Sequence, residues 1–236
     1  MSRIGFLACV LAGLAAASPK LDTLIAPDDS KAGLWVPKSG KKLPLVVWLH
    51  GGVGANNPSK GVAAASNMAA TWGDSGAFAL LAPSAWPASP WWSEDAARRI
   101  EDLIAKAARI PGVDASRIVL AGASDGGSGS LWLSVRLRRN LKARLKGAAI
   151  WSADPSVMEM QGIPWNPTLL GGTALRWTAG SDDRLYPVAR IRSWWDRCRA
   201  AGIRLEPVET AGAGHDLQFH KPDLALFPAW VRRVAR

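Results

Sequence analysis

The chain has 236 residues, of which 48% are hydrophobic, a length that suits one α/β domain better than two. Its 29 Lys and Arg residues outnumber 19 Asp and Glu residues, which gives a formal net charge of +10. The basic residues are scattered along amphipathic segments with no run of five, so we interpret the charge as a solvated surface and predict no binding to nucleic acid.

Residues 1–17 have the features of an export signal. Arg3 supplies a positive start, Ile4–Leu14 is almost entirely apolar, and Ala15–Ala17 offers small residues for cleavage. The apolar stretch is too short to span a bilayer, so no stable membrane anchor is expected. The sequence therefore predicts a secreted or periplasmic protein in which residues 18–236 form a single domain.

Apolar runs that favour buried strands alternate with helical patterns along the rest of the chain. The predicted strands are 33–36, 45–49, 77–82, 118–120, 147–151, 175–179 and 204–210. The predicted helices are 59–72, 94–109, 130–137, 187–201 and 223–236. This alternation is typical of an α/β protein with a mostly parallel sheet covered by helices on both faces.

The pentapeptide Gly122-Ala123-Ser124-Asp125-Gly126 matches the pattern G-x-S-x-G. Its small flanking residues let a strand turn sharply into a helix while the serine sits in a strained, exposed backbone conformation. A chain with 23 glycines produces such a pentapeptide easily, so the context decides. An apolar strand precedes it and a helical pattern follows, which favours Ser124 as a nucleophile.

A serine hydroxyl needs a base to accept its proton and a third group to orient that base. His215 directly follows the last predicted strand in A-G-A-G-H and is the preferred base, ahead of His220 near the terminal helix. His50, in a glycine-rich turn, is expected to brace that turn. For the acid, Asp182 and Asp183 share one loop after the preceding strand, and both can reach the base.

Four segments within residues 43–216 read V-D-A-S-R-I-V-L-A-G-A-S-D-G-G, P-L-V-V-W-L-H-G-G, A-G-S-D-D-R-L-Y-P and A-G-A-G-H. They resemble the α/β-hydrolase superfamily, in particular its small esterase branch of feruloyl esterases, polyhydroxybutyrate depolymerases and dienelactone hydrolases. The resemblance implies an α/β-hydrolase fold with the order Ser, Asp, His along the chain. The acid loop aligns Asp183 with the family's acid, and Asp182 is second.

This resemblance implies that Ser124 attacks an ester carbonyl, that His215 acts as base and then acid, and that Asp183 holds the imidazole. The oxyanion would be met by the backbone N–H groups of Asp125 and Gly52, with Val53 as the alternative to Gly52.

Two features depart from the full family pattern. The region before residue 43 is short, so one or two amino-terminal strands are predicted to be absent. The connection 154–172 is too short for a large insertion, so a minimal lid or none is expected.

A proline-rich loop carries Trp86, Trp91 and Trp92, which we predict to line the substrate cleft. The expected partner is a small-molecule or polymer-borne ester. No cofactor and no metal ion are expected, because histidines and carboxylates form no cluster with ligand spacing. Two alternatives stay open: peptide, thioester or lactone cleavage by the same triad, and a binding protein without catalysis on the same fold.

Overall fold

The computed structural model describes residues 21–87, 89–141, 144–216 and 221–236. The predicted export signal and His220 lie outside these residues. Eight described strands form one sheet. Their bounds are Leu21–Ile25 (β1), Lys31–Trp35 (β2), Leu43–Leu49 (β3), Ala79–Ala82 (β4), Val113–Ala123 (β5), Leu145–Trp151 (β6), Ala174–Gly180 (β7) and Leu205–Thr210 (β8).

The described helices follow or connect these strands. Their bounds are Lys60–Trp72 (α1), Glu94–Ala107 (α2), Asp125–Arg136 (α3), Arg138–Leu141 (α4), Ser156–Glu159 (α5), Val188–Ala200 (α6) and Lys221–Val234 (α7). Both ends of helix α2 are stabilised by local side chains. The Ser93 hydroxyl caps its start by accepting the N–H of Ala96, and the positive charge of Lys106 lies in its last turn. No helix in the described ranges is both long and apolar enough to cross a bilayer.

The strand order is β1-β2-β4-β3-β5-β6-β7-β8. Strands β1 and β2 pair antiparallel, as do β2 and β4, and the other neighbours pair parallel. The carboxyl ends of β3, β5, β7 and β8 therefore open toward the same edge of the sheet. That edge is where groups carried by the following loops can meet.

Helices cover both faces of the sheet, so the prediction of a mostly parallel, doubly covered sheet is confirmed. Helices α2, α3 and α6 pack on one face, and α1 and α7 pack on the other. Every residue of β3 is buried because its alternating side chains meet helices on both sides. The tryptophan-rich second face includes Trp48, Trp72 and Trp151, whose rings lie in mutual contact.

The prediction that one or two amino-terminal strands are absent is wrong. Strands β1 and β2 form a hairpin closed at its turn by Asp28, whose carboxylate accepts the N–H and hydroxyl of Ser30. Five residues per strand suffice to extend the sheet, and in β1 the polar pair Asp22 and Thr23 leaves no continuous apolar run that would predict a strand.

The connection between β6 and β7 packs against the domain. Its Met158, Trp165 and Leu170 are buried, and the Trp165 indole donates to the carbonyl of Leu131 at 2.8 Å. The segment contributes to the core, in keeping with the expectation of a minimal lid or none.

Candidate active site

Ser124 lies at the turn between β5 and α3 with φ 54° and ψ −128°, a backbone conformation that residues other than glycine rarely adopt. The turn is tight because two glycines allow backbone segments to touch. A Cβ on Gly126 would lie 1.9 Å from the carbonyl oxygen of Leu49, and one on Gly122 would lie 2.3 Å from that of Gly126. Any other residue at these positions would collide with main chain that cannot rotate away.

The structure brings Ser124, His215 and Asp183 together from three loops. His215 Nε2 lies 3.0 Å from Ser124 Oγ, and His215 Nδ1 lies 3.0 Å from Asp183 Oδ2. Both ring nitrogens thus have partners at hydrogen-bond distance, one a hydroxyl and one a carboxylate. A ring that donates from Nδ1 to the carboxylate has its Nε2 lone pair free to accept the serine proton.

The geometry separates the two candidate acids. Asp183 is buried, and its Oδ1 accepts the N–H groups of Leu185 and Tyr186 at 2.9 and 3.0 Å. Its neighbour Asp182 is exposed and accepts the hydroxyl of Ser181. Because these two backbone N–H groups hold Oδ1, the second oxygen, Oδ2, faces the imidazole.

Tyr186 forms one wall beside the imidazole. Its ring stacks on that of His215 with centroids 5.7 Å apart and planes 14° apart. Burial raises the pKa of the phenol to about 12, so the group stays protonated at neutral pH. The ring therefore limits where the imidazole can turn and takes no part as a base.

The turn after β3 is held by His50, as predicted. His50 Nε2 accepts the N–H of Ala85 at 3.2 Å, so the ring proton sits on Nδ1, which lies 2.9 Å from the carbonyl oxygen of Gly51. Burial, together with the charge of nearby Lys60, lowers the pKa of His50 from 6.5 to about 4. The imidazole is thus neutral and serves as a brace between two backbone segments.

The tryptophan loop was predicted to line the cleft, and this prediction is wrong. Trp91 is 0% exposed, and its indole donates to the carbonyl of His50 at 2.8 Å from beneath the turn. Trp92 is 3% exposed and donates to Gln161. Trp86 is half-buried outside the groove beside Ser124. Burial in the core removes the large apolar rings of Trp91 and Trp92 from water, which stabilises the fold and explains why they do not line the cleft.

The groove beside Ser124 has a volume of about 460 Å³. It runs between the glycine turn and the part of α1 from Lys60 to Met68, and His215 closes one side. The tryptophan that reaches it is Trp48 of β3, together with Met68 and the side chain of Lys60. A larger cavity of about 720 Å³ is lined by arginines such as Arg138 and Arg204 and does not include Ser124.

Three backbone N–H groups were candidates for the oxyanion site. That of Val53 donates to Asp125 Oδ2 at 3.0 Å and is therefore occupied. Among the hydrogen bonds of the described ranges, the N–H groups of Gly52 and Asp125 have no protein acceptor. Gly52 has a left-handed φ of 64°, and its neighbour Gly51 abuts Ser124, since a Cβ there would lie 3.0 Å from that of the serine.

Structural comparison finds esterase Est22, 18% identical, with 92% of this chain aligned to 81% of that chain at a TM-score of 0.67. The thermostable carboxylesterase EstE1 from a metagenomic library is 17% identical, with coverage of 93% and 90% and a TM-score of 0.67. The S-formylglutathione hydrolase FrmB of Staphylococcus aureus is 13% identical, with coverage of 91% and 98% and a TM-score of 0.66. The chain has the α/β-hydrolase fold. No protein-family model matches the sequence, and a comparison with curated proteins found no match.

The strained Ser124 lies at the sharp turn from β5 into α3, in the pentapeptide that matches G-x-S-x-G. Sequence reasoning missed Lys60, Tyr186 and Trp48 as neighbours of this site. The tyrosine stood three residues from the acid in A-G-S-D-D-R-L-Y-P, a spacing that could have signalled it. Nothing local marked Lys60, because its contacts are made across a turn eight and nine residues away.

Proposed function

We propose that the protein is a serine hydrolase of carboxylic esters. The observation that carries the proposal is the continuous chain of contacts from Asp183 through His215 to Ser124, with both intervening distances at 3.0 Å. Such a chain gives the hydroxyl a proton acceptor and gives that acceptor a buried carboxylate to orient it. The fold, and the esterases that share it, support the same assignment.

In the proposed acylation, Ser124 Oγ bonds to the ester carbonyl carbon while its proton passes to His215 Nε2. The charge that develops on the carbonyl oxygen is stabilised by the N–H groups of Asp125 and Gly52. One such donor contributes about 3 kcal/mol to the stability of a transition state. His215 then gives its proton to the leaving alkoxide, and the alcohol departs as the acyl-enzyme forms.

Deacylation reverses these roles with water as the nucleophile. His215 removes a proton from water, whose oxygen bonds to the acyl carbon, and then returns a proton to Ser124 Oγ as the acid product leaves. The carboxylate of Asp183 orients and stabilises the imidazolium in both halves. No step requires a cofactor.

Thioester cleavage is the second candidate. FrmB, which shares the fold, is named an S-formylglutathione hydrolase, and a thioester carbonyl reacts with the same triad. The groove is open to solvent and small residues such as Ala63 and Ala64 line it, so a short acyl group would fit beside Ser124.

The test is to compare the wild-type protein with Ser124→Ala on p-nitrophenyl acetate, butyrate and octanoate, methyl ferulate, an acyl thioester and a short peptide. We expect ester turnover in the wild type and a fall in kcat of about a millionfold in the variant, because the nucleophile is lost. A fluorophosphonate should label Ser124 alone. Ser193→Ala, at an exposed helix position, is the control and should leave both readouts unchanged.

Absence of labelling and of hydrolysis of every substrate would overturn the proposal and favour a binding protein on this fold. Turnover of the thioester or peptide alone would replace the ester with that substrate class.

We also propose that the protein is exported, on the basis of the charge and apolar pattern of residues 1–17. The first strand of the described sheet, β1, begins at Leu21, after those residues. The processed chain is expected to begin at Ser18, and mass spectrometry of protein recovered from periplasm or medium would measure this. An intact amino terminus on protein retained in the cytoplasm would contradict it.

A further inference from the structure

Lys60 is the first residue of α1, and its ammonium reaches back over the glycine turn. Nζ donates to the carbonyl oxygens of Gly51 and Gly52, each at 2.8 Å. The helix that carries it is fixed, because the N–H of Gly61 donates to the buried Ser84 hydroxyl at 2.8 Å. The start of the helix therefore keeps the ammonium beside these two consecutive carbonyls.

The planarity of the peptide bond makes these two contacts matter for catalysis. The carbonyl of Gly51 and the N–H of Gly52 belong to one planar trans unit, so they point in opposite directions. Holding that oxygen fixes the direction of that N–H. The oxygen is held by two donors, Lys60 Nζ and the ring Nδ1 of His50 at 2.9 Å.

The next peptide unit is held at both ends. Its oxygen, on Gly52, accepts from Lys60, and its N–H, on Val53, donates to the Asp125 carboxylate at 3.0 Å. The left-handed backbone of Gly52 lies between these two units, in a region where glycine has no intrinsic preference to stay. Without these hydrogen bonds, either peptide unit could rotate.

We propose that Lys60 is a positioning residue that sets the direction of the Gly52 N–H toward the oxyanion, and that Asp125 assists by anchoring the following peptide. The inference rests on the proposed hydrolase function. A positive charge at the oxygen end of the Gly51–Gly52 peptide also polarises its N–H and makes that group a stronger donor. Lys60 thus acts on the transition state through the backbone, and because its side chain also lines the groove, KM is measured beside kcat to detect direct binding of substrate.

The decisive variant is Lys60→Met, which keeps an unbranched apolar side chain as far as the ε position and removes the charge and the donors. We expect kcat for p-nitrophenyl acetate to fall about ten- to a hundredfold, part of the loss seen when an oxyanion donor is deleted. KM should change less than about threefold. Affinity for a trifluoromethyl ketone, whose adduct with Ser124 carries the oxyanion, should fall by a factor similar to that for kcat.

Two further variants separate positioning from general stability. Lys60→Cys treated with 2-bromoethylamine regains an ammonium at nearly the original place and should recover most of kcat, and the wild type treated alike is its control. Cys198 is buried, with a thiol pKa raised by burial to about 12, and should not react in folded protein. Lys106→Met is the matched control, since Lys106 also donates to a backbone carbonyl, at 2.7 Å, far from the groove.

Each outcome decides the inference. A Lys60→Met enzyme with kcat within twofold of wild type would overturn it. A rise in KM at unchanged kcat would show that Lys60 binds substrate instead. Should Lys60→Met not fold, Lys60→Arg keeps a cation but places its N–H donors in a planar fork of different geometry, and it is expected to keep KM while lowering kcat. Equal kcat values for Lys60→Arg and wild type, with no recovery in aminoethylated Lys60→Cys, would overturn the inference too.

Failure of the proposed hydrolase function is distinguishable from failure of this inference. If the wild type hydrolyses none of the substrates and Ser124 is not labelled, it is the hydrolase function that is refuted.

Discussion

Tyr186 links the acid and the base of the site through two different parts of one residue. Its backbone N–H donates to Asp183 at 3.0 Å, and its ring stacks on the imidazole of His215. A ring contact of this kind contributes about 1 kcal/mol beyond burial. The residue therefore limits the positions open to the imidazole while the carboxylate is held.

Tyr186→Leu removes the stacked ring and keeps the backbone donor. We expect kcat to fall about fivefold, the rate equivalent of about 1 kcal/mol, with little change in KM. Tyr186→Phe retains the ring and should stay near wild type. Steady-state kinetics on p-nitrophenyl acetate would measure both, and equal losses in the two variants would assign the effect to the hydroxyl.

Single residues were predictable where a motif fixed their place. The pattern G-x-S-x-G located Ser124, and the acid loop aligned Asp183, which the structure then brings to His215. Trp91 and Trp92 were predicted wrongly because loop sequence carries no information about which side of the loop faces the core. Lys60 was missed because its partners are backbone carbonyls, which have no sequence signature.

At the scale of elements, apolar runs located the central strands to within a few residues. Strand β3 was predicted as 45–49 and spans Leu43–Leu49, and helix α1 was predicted as 59–72 and spans Lys60–Trp72. These runs are long and bounded by turn residues, which makes their patterns clear. Strand β5 was underestimated because its first half, V-D-A-S-R, alternates with polar residues.

Helix α3 shows why the start of an element can escape prediction. The helical apolar spacing from Ser130 onward predicted a start near that residue, yet the helix begins at Asp125 and includes D-G-G-S-G, a stretch of poor helix propensity. Tertiary packing explains the glycines: a Cβ on Gly129 would lie 2.2 Å from Cβ of Trp91, and Gly126 touches the main chain of β3. The helix accepts a loss of propensity of about 1 kcal/mol per glycine to approach the sheet this closely.

For the whole molecule, the buried His50 predicts a loss of stability in mild acid. Its pKa is about 4 in the folded protein against 6.5 ordinarily, so the unfolded chain takes up the proton first as the pH falls. The free energy of unfolding should therefore decrease between pH 6.5 and 4, by about 3 kcal/mol from this group. Above pH 6.5 the contribution is fully present.

Urea denaturation at several pH values would measure this slope. His50→Gln should be less stable at neutral pH, because it loses a buried brace, and should show a shallower dependence on pH over the same interval. Carboxylates with lowered pKa values, such as Asp28 and Asp114, stabilise the fold at every pH above their ordinary value of 3.8 and lose that contribution only below it, so they add no slope between pH 6.5 and 4 and serve as an internal reference. Identical slopes for the two proteins would refute the assignment to His50.

Strand β8 ends the sheet on one side, and its composition bears on how chains meet in concentrated solution. A further strand would need an N–H at every second position, and Pro207 has none. It would also have to disturb carboxylates already engaged by arginines, Glu206 by Arg233 and Glu209 by Arg192. Sheet-to-sheet aggregation is therefore discouraged at β8, and β1 is the edge through which copies of the chain would more readily join.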